Sequence, residues 1–405
     1  MTLHLTIDGQ RLAAPAGATI LEAARAAGIR IPTLCHHPDL SNVGACRMCV
    51  VSVQGARALQ TACTTPAAEG MVVETMSQEA IDTRKFVLEM LLTDHPNDCM
   101  SCEVNGDCEL QDLVYDYGVK WPEHTGKRHE WEIDPDPNPF IFIDRNKCIL
   151  CSRCIRACGE RQNRDVWSFA FRGFQTKLVA GADQPMLEAG CESCGQCVAY
   201  CPVGALYDKM SLGKGRVSQV KKVRTTCSYC GVGCNFDLNV RDGKIVRVTS
   251  TRAAPVNGLA LCVKGRYGYD YVHHPDRLTR PLVRAKWLEG AEEQVASGRW
   301  QVIGEEATER RRDAGTQRND GNGHHPNLQS PNLQSPISPD AFIAVDWDTA
   351  LDVVAGKFAA EKKAHGGDVF AVLASAKCTN EENFLIAKLT RQLLATNSID
   401  HCARL

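Results

Sequence analysis

Cysteine dominates the chemistry open to this chain. It has 21 cysteines in 405 residues, and 19 of them fall between Cys35 and Cys262. They recur at C-x-x-C spacing. Thiolates are soft donors, and an iron–sulfur group needs four ligands fixed in space by a loop that can wrap it. In a secreted chain the same density would mean disulfides. The opening MTLHLTIDGQ has neither the basic run nor the apolar stretch of a secretory signal, so metal ligation in a reducing cytoplasm is the expected use.

The residues sort into five sets. Cys35, Cys46, Cys49 and Cys63, spaced C-x10-C-x2-C-x13-C, follow the plant-type 2Fe–2S pattern with a longer first gap. Small residues in SNVGACRMC let backbone amides approach the sulfurs. No histidine follows Cys49 at ligand spacing, so His36 and His37 are read as solvated loop residues. His95, Cys99, Cys102 and Cys108, spaced H-x3-C-x2-C-x5-C, offer one imidazole and three thiolates to a 4Fe–4S cluster; a structural zinc site competes.

The runs CILCSRCIRAC (148–158) and CESCGQCVAYCP (191–202) share the spacing C-x2-C-x2-C-x3-C. In two-cluster ferredoxins the fourth cysteine of each run serves the other cluster. Cys148, Cys151, Cys154 and Cys201 are then one ligand set, and Cys191, Cys194, Cys197 and Cys158 the other. Cys201 keeps its following proline, whereas Cys158 precedes Gly159. The last set is Cys227, Cys230, Cys234 and Cys262, spaced C-x2-C-x3-C-x27-C, for which a zinc ribbon competes. Lys264 just beyond it faces solvent or stands between a cluster and an anionic pterin. The expected complement is one 2Fe–2S and four 4Fe–4S clusters.

Elements must position these residues. Alternation at Leu3, Leu5 and Ile7 with an Asp8-Gly9 turn predicts a hairpin, and Thr19 with Glu22 a capping box opening a helix. Residues 78–118 read as helical around a cysteine loop, DPDPNPF (134–140) as a linker, and LNVRDGKIVRVTS as two strands about Asp242-Gly243. The stretch 289–341, with its repeat PNLQSPNLQSP, reads as a disordered insertion. DWDTALDVVAGKFAAEKKAHGG then reads as an amphipathic helix, DVFAVLASA as a buried strand, and TNEENFLIAKLTRQLLATN as a helix capped by Thr379 and Glu382. Strand followed by helix predicts the start of an α/β domain.

Charged residues are 23% of the chain and the net charge is −2, which points to neither nucleic acid nor an anionic membrane. No apolar run is long enough for a transmembrane segment.

In this order the motifs resemble the large subunit of soluble, NAD-linked molybdenum- or tungsten-dependent formate dehydrogenases, over 1–288 and 342–405. LCVKGRYGYDYVHHPDRLTRPLVR and SAKCTNEENFLIAKLTRQLLATNSIDHCARL are similar almost throughout. The first two sets are also similar to the large iron–sulfur subunit of complex I, and the first four to hydrogenase diaphorase subunits. The resemblance implies an α+β multidomain chain. Its parts are a β-grasp 2Fe–2S ferredoxin domain (1–78), a His/Cys-ligated 4Fe–4S domain (79–119), a two-cluster ferredoxin domain (138–209), a fourth 4Fe–4S domain (220–277) and the start of a molybdopterin oxidoreductase domain (278–405).

It also implies a molybdenum or tungsten bis-pyranopterin whose Cys or Sec ligand follows directly after Leu405. Selenocysteine is expected there, so no catalytic metal ligand stands within the chain and formate oxidation is not expected of 1–405 alone. Lys264 would lie on the electron path from pterin to the Cys227 cluster. No G-x-G-x-x-G fingerprint stands at a strand–helix junction, so a flavin- and NAD-binding diaphorase subunit is the implied partner, with a small 2Fe–2S subunit as a further one. A non-catalytic electron-transfer subunit and a zinc-stapled scaffold remain as competing readings. Structural roles are expected for Cys378 and Cys402.

Overall fold

The computed structural model describes residues 2–122, 126–303 and 337–402, in two compact units, Met1–Asp270 and Tyr271–Leu405. The first unit begins with the hairpin expected from the sequence, β1 (Thr2–Ile7) and β2 (Gln10–Pro15), turned by Asp8 at φ 49° and Gly9 at φ 77°. Two successive positive φ values match the right-handed twist of the strands. Helix α1 (Ile20–Ala26) starts at the Thr19 capping box, where Thr19 Oγ1 accepts from Glu22 N at 3.2 Å and Glu22 Oε2 accepts from Thr19 N at 2.7 Å. Its apolar side (Ile20, Leu21, Ala23, Ala24) packs on Leu5, Ile7, Val51 and Val73. β3 (Val50–Val53), β4 (Gln60–Thr61) and β5 (Val72–Glu74) complete a five-stranded sheet of order β2-β1-β5-β3-β4, in which β1 and β5 run parallel.

Helix α2 (Gln78–Asp94) is tied to this sheet by Arg84, fully buried, which donates to Val50 O at 2.7 Å and to Tyr117 Oη at 3.0 Å. α3 (Glu109–Asp116) packs Leu110 and Leu113 with Leu34, Met48, Leu88 and Val203. That cluster joins three of the expected domains into one core.

The stretch expected to be a linker is a packed strap. Asn138 is fully buried, donates to Ser193 Oγ at 3.0 Å and accepts from Phe140 N and Ile141 N. It leads into β6 (Ile141–Ile143), then α4 (Arg153–Arg156), the ribbon β7 (Trp167–Ala170) and β8 (Lys177–Ala180), α5 (Gln196–Tyr200) and β9 (Leu206–Asp208), which pairs antiparallel with β6. β10 (Lys221–Thr226), β11 (Asn235–Arg241) and β12 (Lys244–Thr249) form an antiparallel sheet, with Asp242-Gly243 again at positive φ, and α6 (Val263–Tyr267) follows.

In the second unit, β13 (Leu282–Arg284), α7 (Ala291–Ala296), β14 (Gln301–Ile303) and β15 (Phe342–Ala344) build a small sheet of order β13-β15-β14. This corrects the reading of 289–341 as one disordered insertion. Residues 289–303 fold because Val295 and Trp300 pack against Leu288 and Ile343. The repeat-bearing 304–336 lies outside the described residues. α8 (Trp347–His365), β16 (Val372–Ser375), α9 (Asn380–Lys388) and β17 (Ile399–Cys402) follow, β16 and β17 pairing in parallel. Thr379 and Glu382 form the expected capping box. The β16 strand is not buried, however: Leu373 is 83% exposed, and its two-stranded sheet leaves the outer face open among the described residues. No helix among the described residues is long and apolar enough to cross a membrane.

Candidate metal centres

The cysteines from Cys35 to Cys378 are free thiols. Cys35, in the loop after α1, and Cys46 exchange backbone-to-sulfur contacts, Cys35 N to Cys46 Sγ at 3.3 Å and Cys46 N to Cys35 Sγ at 3.5 Å. Hydrogen bonds from the Cys46 and Cys63 thiols hold Cys35 far below an ordinary thiol, at about 2, while Cys46 and Cys63 are pushed up. A bond with Cys63 lowers Cys49 to about 7. The loop can curl because Gly44 and Arg47 both sit at φ 60°. His36 and His37 are not solvated, contrary to expectation. His36 is buried between Arg25 (2.8 Å) and Asn42 (2.7 Å), and His37 meets Tyr200 edge-on at 4.6 Å. Both are anchors of the loop.

His95 caps the C-terminus of α2, and its Nδ1 is buried with no hydrogen-bond partner. Burial lowers its pKa, so the ring is a neutral donor. Cys99 and Cys102 follow on a turn, and Cys108 occupies the N-cap of α3 with no side-chain capping bond. His95 and Cys99 share the charged neighbours Asp98 and Lys147, and Cys108 feels both Cys102 and Cys99. Lys147 pairs with Asp98 at 3.0 Å and Asp144 at 3.1 Å. Sequence reading missed Gly204: a Cβ there would stand 2.9 Å from Cys102 Sγ, so only glycine leaves room for the sulfur. Its sole trace in the sequence is its place three residues after Cys201.

The two repeats fold alike. Leu150 and Ser152 after Cys148, and Ser193 and Gly195 after Cys191, take positive φ at matching positions before α4 and α5. Those bends turn amides inward, as in Ser193 N to Cys191 Sγ at 3.3 Å; Val166 N similarly reaches Cys158 Sγ at 3.4 Å. The electrostatic neighbours of the two fourth cysteines cross between the runs, and Cys154 and Cys197 also meet across them. Cys201 acts on Cys151 and Cys154 and feels Cys148, whereas Cys158 acts on Cys191, Cys194 and Cys197. Burial pushes Cys148 and Cys151 up to about 12, and Cys108 and Cys201 up to about 11. Loading such thiols with metal releases protons.

In the last set Cys227 follows β10 and donates its N–H to Cys234 O at 2.8 Å, the β11–β12 hairpin fills the long gap, and Cys262 is the N-cap of α6. Cys227 and Cys234 both feel Cys262. Cys262 and Lys264 are exposed.

Free thiols in fours, an orphaned imidazole nitrogen, a glycine-carved gap and amides turned toward sulfur fit iron–sulfur clusters. Among the described residues no three His, Cys, Asp or Glu side chains close on a single ion-sized point.

Family models agree with this order. A 2Fe–2S iron–sulfur cluster binding domain matches 1–78, an NADH-ubiquinone oxidoreductase-G iron–sulfur binding region 84–122, and an NADH-quinone oxidoreductase subunit 3 ferredoxin-like domain 138–207. A molybdopterin oxidoreductase Fe4S4 domain matches 220–274 and a molybdopterin oxidoreductase domain 277–405. The alpha subunit of an NADPH-Fe(3+) oxidoreductase from Geobacter sulfurreducens is 32% identical over 403 residues, which are 100% of this chain and 40% of that protein. A G-type NADH-quinone oxidoreductase chain of Rhizobium meliloti is 34% identical, covering 99% of this chain and 40% of its own length. A Staphylococcus aureus protein named as a candidate formate dehydrogenase is 28% identical, covering 99% and 39%. A solved chain of an NAD+-reducing nickel–iron hydrogenase is 33% identical with a TM-score of 0.50, covering 53% of this chain and 91% of that one.

The chain spans about two fifths of the length of its curated relatives. It corresponds to the iron–sulfur N-terminal region of a large chain of the molybdopterin oxidoreductase and NADH-quinone oxidoreductase G type.

Proposed function

We propose that the chain is the iron–sulfur relay portion of a cytoplasmic formate dehydrogenase large subunit. It would hold one 2Fe–2S cluster on Cys35, Cys46, Cys49 and Cys63. Four 4Fe–4S clusters would sit on His95 with Cys99, Cys102 and Cys108, on Cys148, Cys151, Cys154 and Cys201, on Cys158, Cys191, Cys194 and Cys197, and on Cys227, Cys230, Cys234 and Cys262. The observation that supports this reading is that Cys201 neighbours Cys151 and Cys154 while Cys158 neighbours Cys191 and Cys197, each in the run it does not belong to. Such clusters supply one-electron transfer when bound. The protein's part is to exclude water, hold thiolates in place and aim N–H groups at sulfur, which favours the reduced state.

At the last set the exposed Cys262 and Lys264 suit a face turned toward a molybdenum or tungsten pterin group, with Lys264 as the cation between them. Formate as the substrate is supported by the sequence resemblance and by the Staphylococcus aureus relative's name. The partner proposed is a flavin- and NAD-binding subunit, in keeping with the likeness to a chain of an NAD+-reducing hydrogenase.

Anaerobic purification tests the relay. The chain should carry about 18 iron atoms, two plus four fours, and give paramagnetic signals after dithionite; a colourless, iron-free protein would refute it. For the substrate, full-length metal-loaded protein should reduce a dye with formate. A second reading, a non-catalytic electron-transfer subunit of the NADH-quinone oxidoreductase kind, is favoured by the Rhizobium meliloti relative. It would prevail if the clusters accept electrons from NADH through the partner while formate stays inert.

A further inference from the structure

Buried arginines sit beside the cysteine loops, and two of them differ in how their charge is met. Arg153 is 3% exposed and is gripped by Glu109 through two bonds of 2.6 and 2.8 Å, with a third to His36 O at 2.9 Å. Its charge has a carboxylate partner. Arg156, one helical turn on and 7% exposed, has none: among the described residues it makes no ion pair, and its Nε lacks any partner.

Every hydrogen bond Arg156 makes ends on a carbonyl. One terminal nitrogen donates to Ser41 O; the other donates to Cys35 O and, at 3.3 Å, to Cys151 O. Cys35 and Cys151 belong to two different proposed ligand sets, on loops from two different domains. An arginine stays protonated in proteins, and a buried charge without an opposite charge is costly. The attractive influences on Arg156 are Cys35, Cys151 and then Glu160, whose carboxylate accepts from Ser41 N and Oγ on the loop that Arg156 also binds; once the cysteines hold iron as thiolates, two of the three belong to the ligand sets. Lysine could not reproduce this, having a point charge on a flexible stem instead of a planar fork.

We propose that Arg156 is a positioning residue shared by two cluster sites. Its fork fixes the separation of the Cys35 and Cys151 loops, and its charge stabilises the more negative, reduced state of both groups held there. This rests on the ligand assignment above.

The test uses the 405-residue chain loaded anaerobically with iron and sulfide, followed by paramagnetic resonance during a redox titration. In Arg156→Gln, reduction of these two centres should become about tenfold less favourable, equivalent to about 59 mV for one electron, while the other three stay unmoved. Arg156→Lys should keep both midpoints within about twofold of that scale yet weaken the magnetic interaction between the two centres, because the fork is lost. If Arg156→Gln does not load, Arg156→Lys decides: an unchanged magnetic interaction overturns the proposal. Unchanged midpoints in a loaded Arg156→Gln overturn it too, as does loss of iron or fold in both variants, which would make Arg156 a strut. Signals that stay put in the variants sink this inference alone; a wild-type chain without signals sinks the ligand assignment with it.

Discussion

The first and last cysteine sets have the same number of thiols and opposite surroundings. Cys35, Cys49 and Cys63 are each 1% exposed, and Cys49 and Cys63 belong to a core built from five strands and α1. Cys262 lies on the surface, and among the described residues the core beneath its set is small, with Phe236, Val248, Leu261 and Tyr269 as its buried members. A loop seated on a large apolar core keeps its shape without metal, since burial already outweighs the entropy of ordering it. A loop seated on a small core depends on what it binds. The first and last sets therefore differ in what would hold them: packing at the first, and the proposed bound group at the last.

Iron removal strains that contrast hardest. Structural metal sites contribute on the order of 10 kcal/mol to folding, so an iron-free chain should be cut by protease within 227–262 while residues 2–74 stay protected. Equal cleavage of both regions would erase the distinction.

A smaller effect concerns Asp208, which lies among Arg247, Arg266 and Tyr269 beside the last set. Burial raises its pKa to about 6, and its Oδ2 has no partner. The folded state thus binds the proton more tightly than the unfolded state. Stability is highest below the unfolded pKa near 4 and declines as pH climbs through 6. Asp208→Asn should flatten that decline and add about 2 kcal/mol at neutral pH; urea melts at pH 4, 5, 6 and 7 measure it. A decline of the same slope in the variant would acquit Asp208.

The finest discrimination uses the cysteines themselves, in iron-free protein. Cys49→Ser puts a hydroxyl into the apolar core and should cost about 1–3 kcal/mol, whereas Cys262→Ser on the surface should stay within about 0.5 kcal/mol. Equal costs would mean that the two loops are held alike.

Much of the site was readable from one dimension. Cysteine spacing specified the sets, and the hairpin and capping signals placed α1 where its loop delivers Cys35. Other features were hidden because they depend on who the neighbour is. The sequence reading solvated His36 and His37 since loop histidines usually face water; Arg25, Asn42 and Tyr200, up to 163 positions away, bury them. Residues 289–303 looked too polar to fold, but Trp300 and Val295 need only a small patch around Ile343.

What sequence alone determined here is which thiols lie within reach of one another along the chain, because short spacings limit how far apart two thiols can be. Only the tertiary structure decided the side chains that close each site from elsewhere in the chain. Gly204 clears space for Cys102, and Arg156 spans Cys35 and Cys151. No local pattern encodes such contacts, since a fork of donors finds its carbonyls only after separate domains have packed.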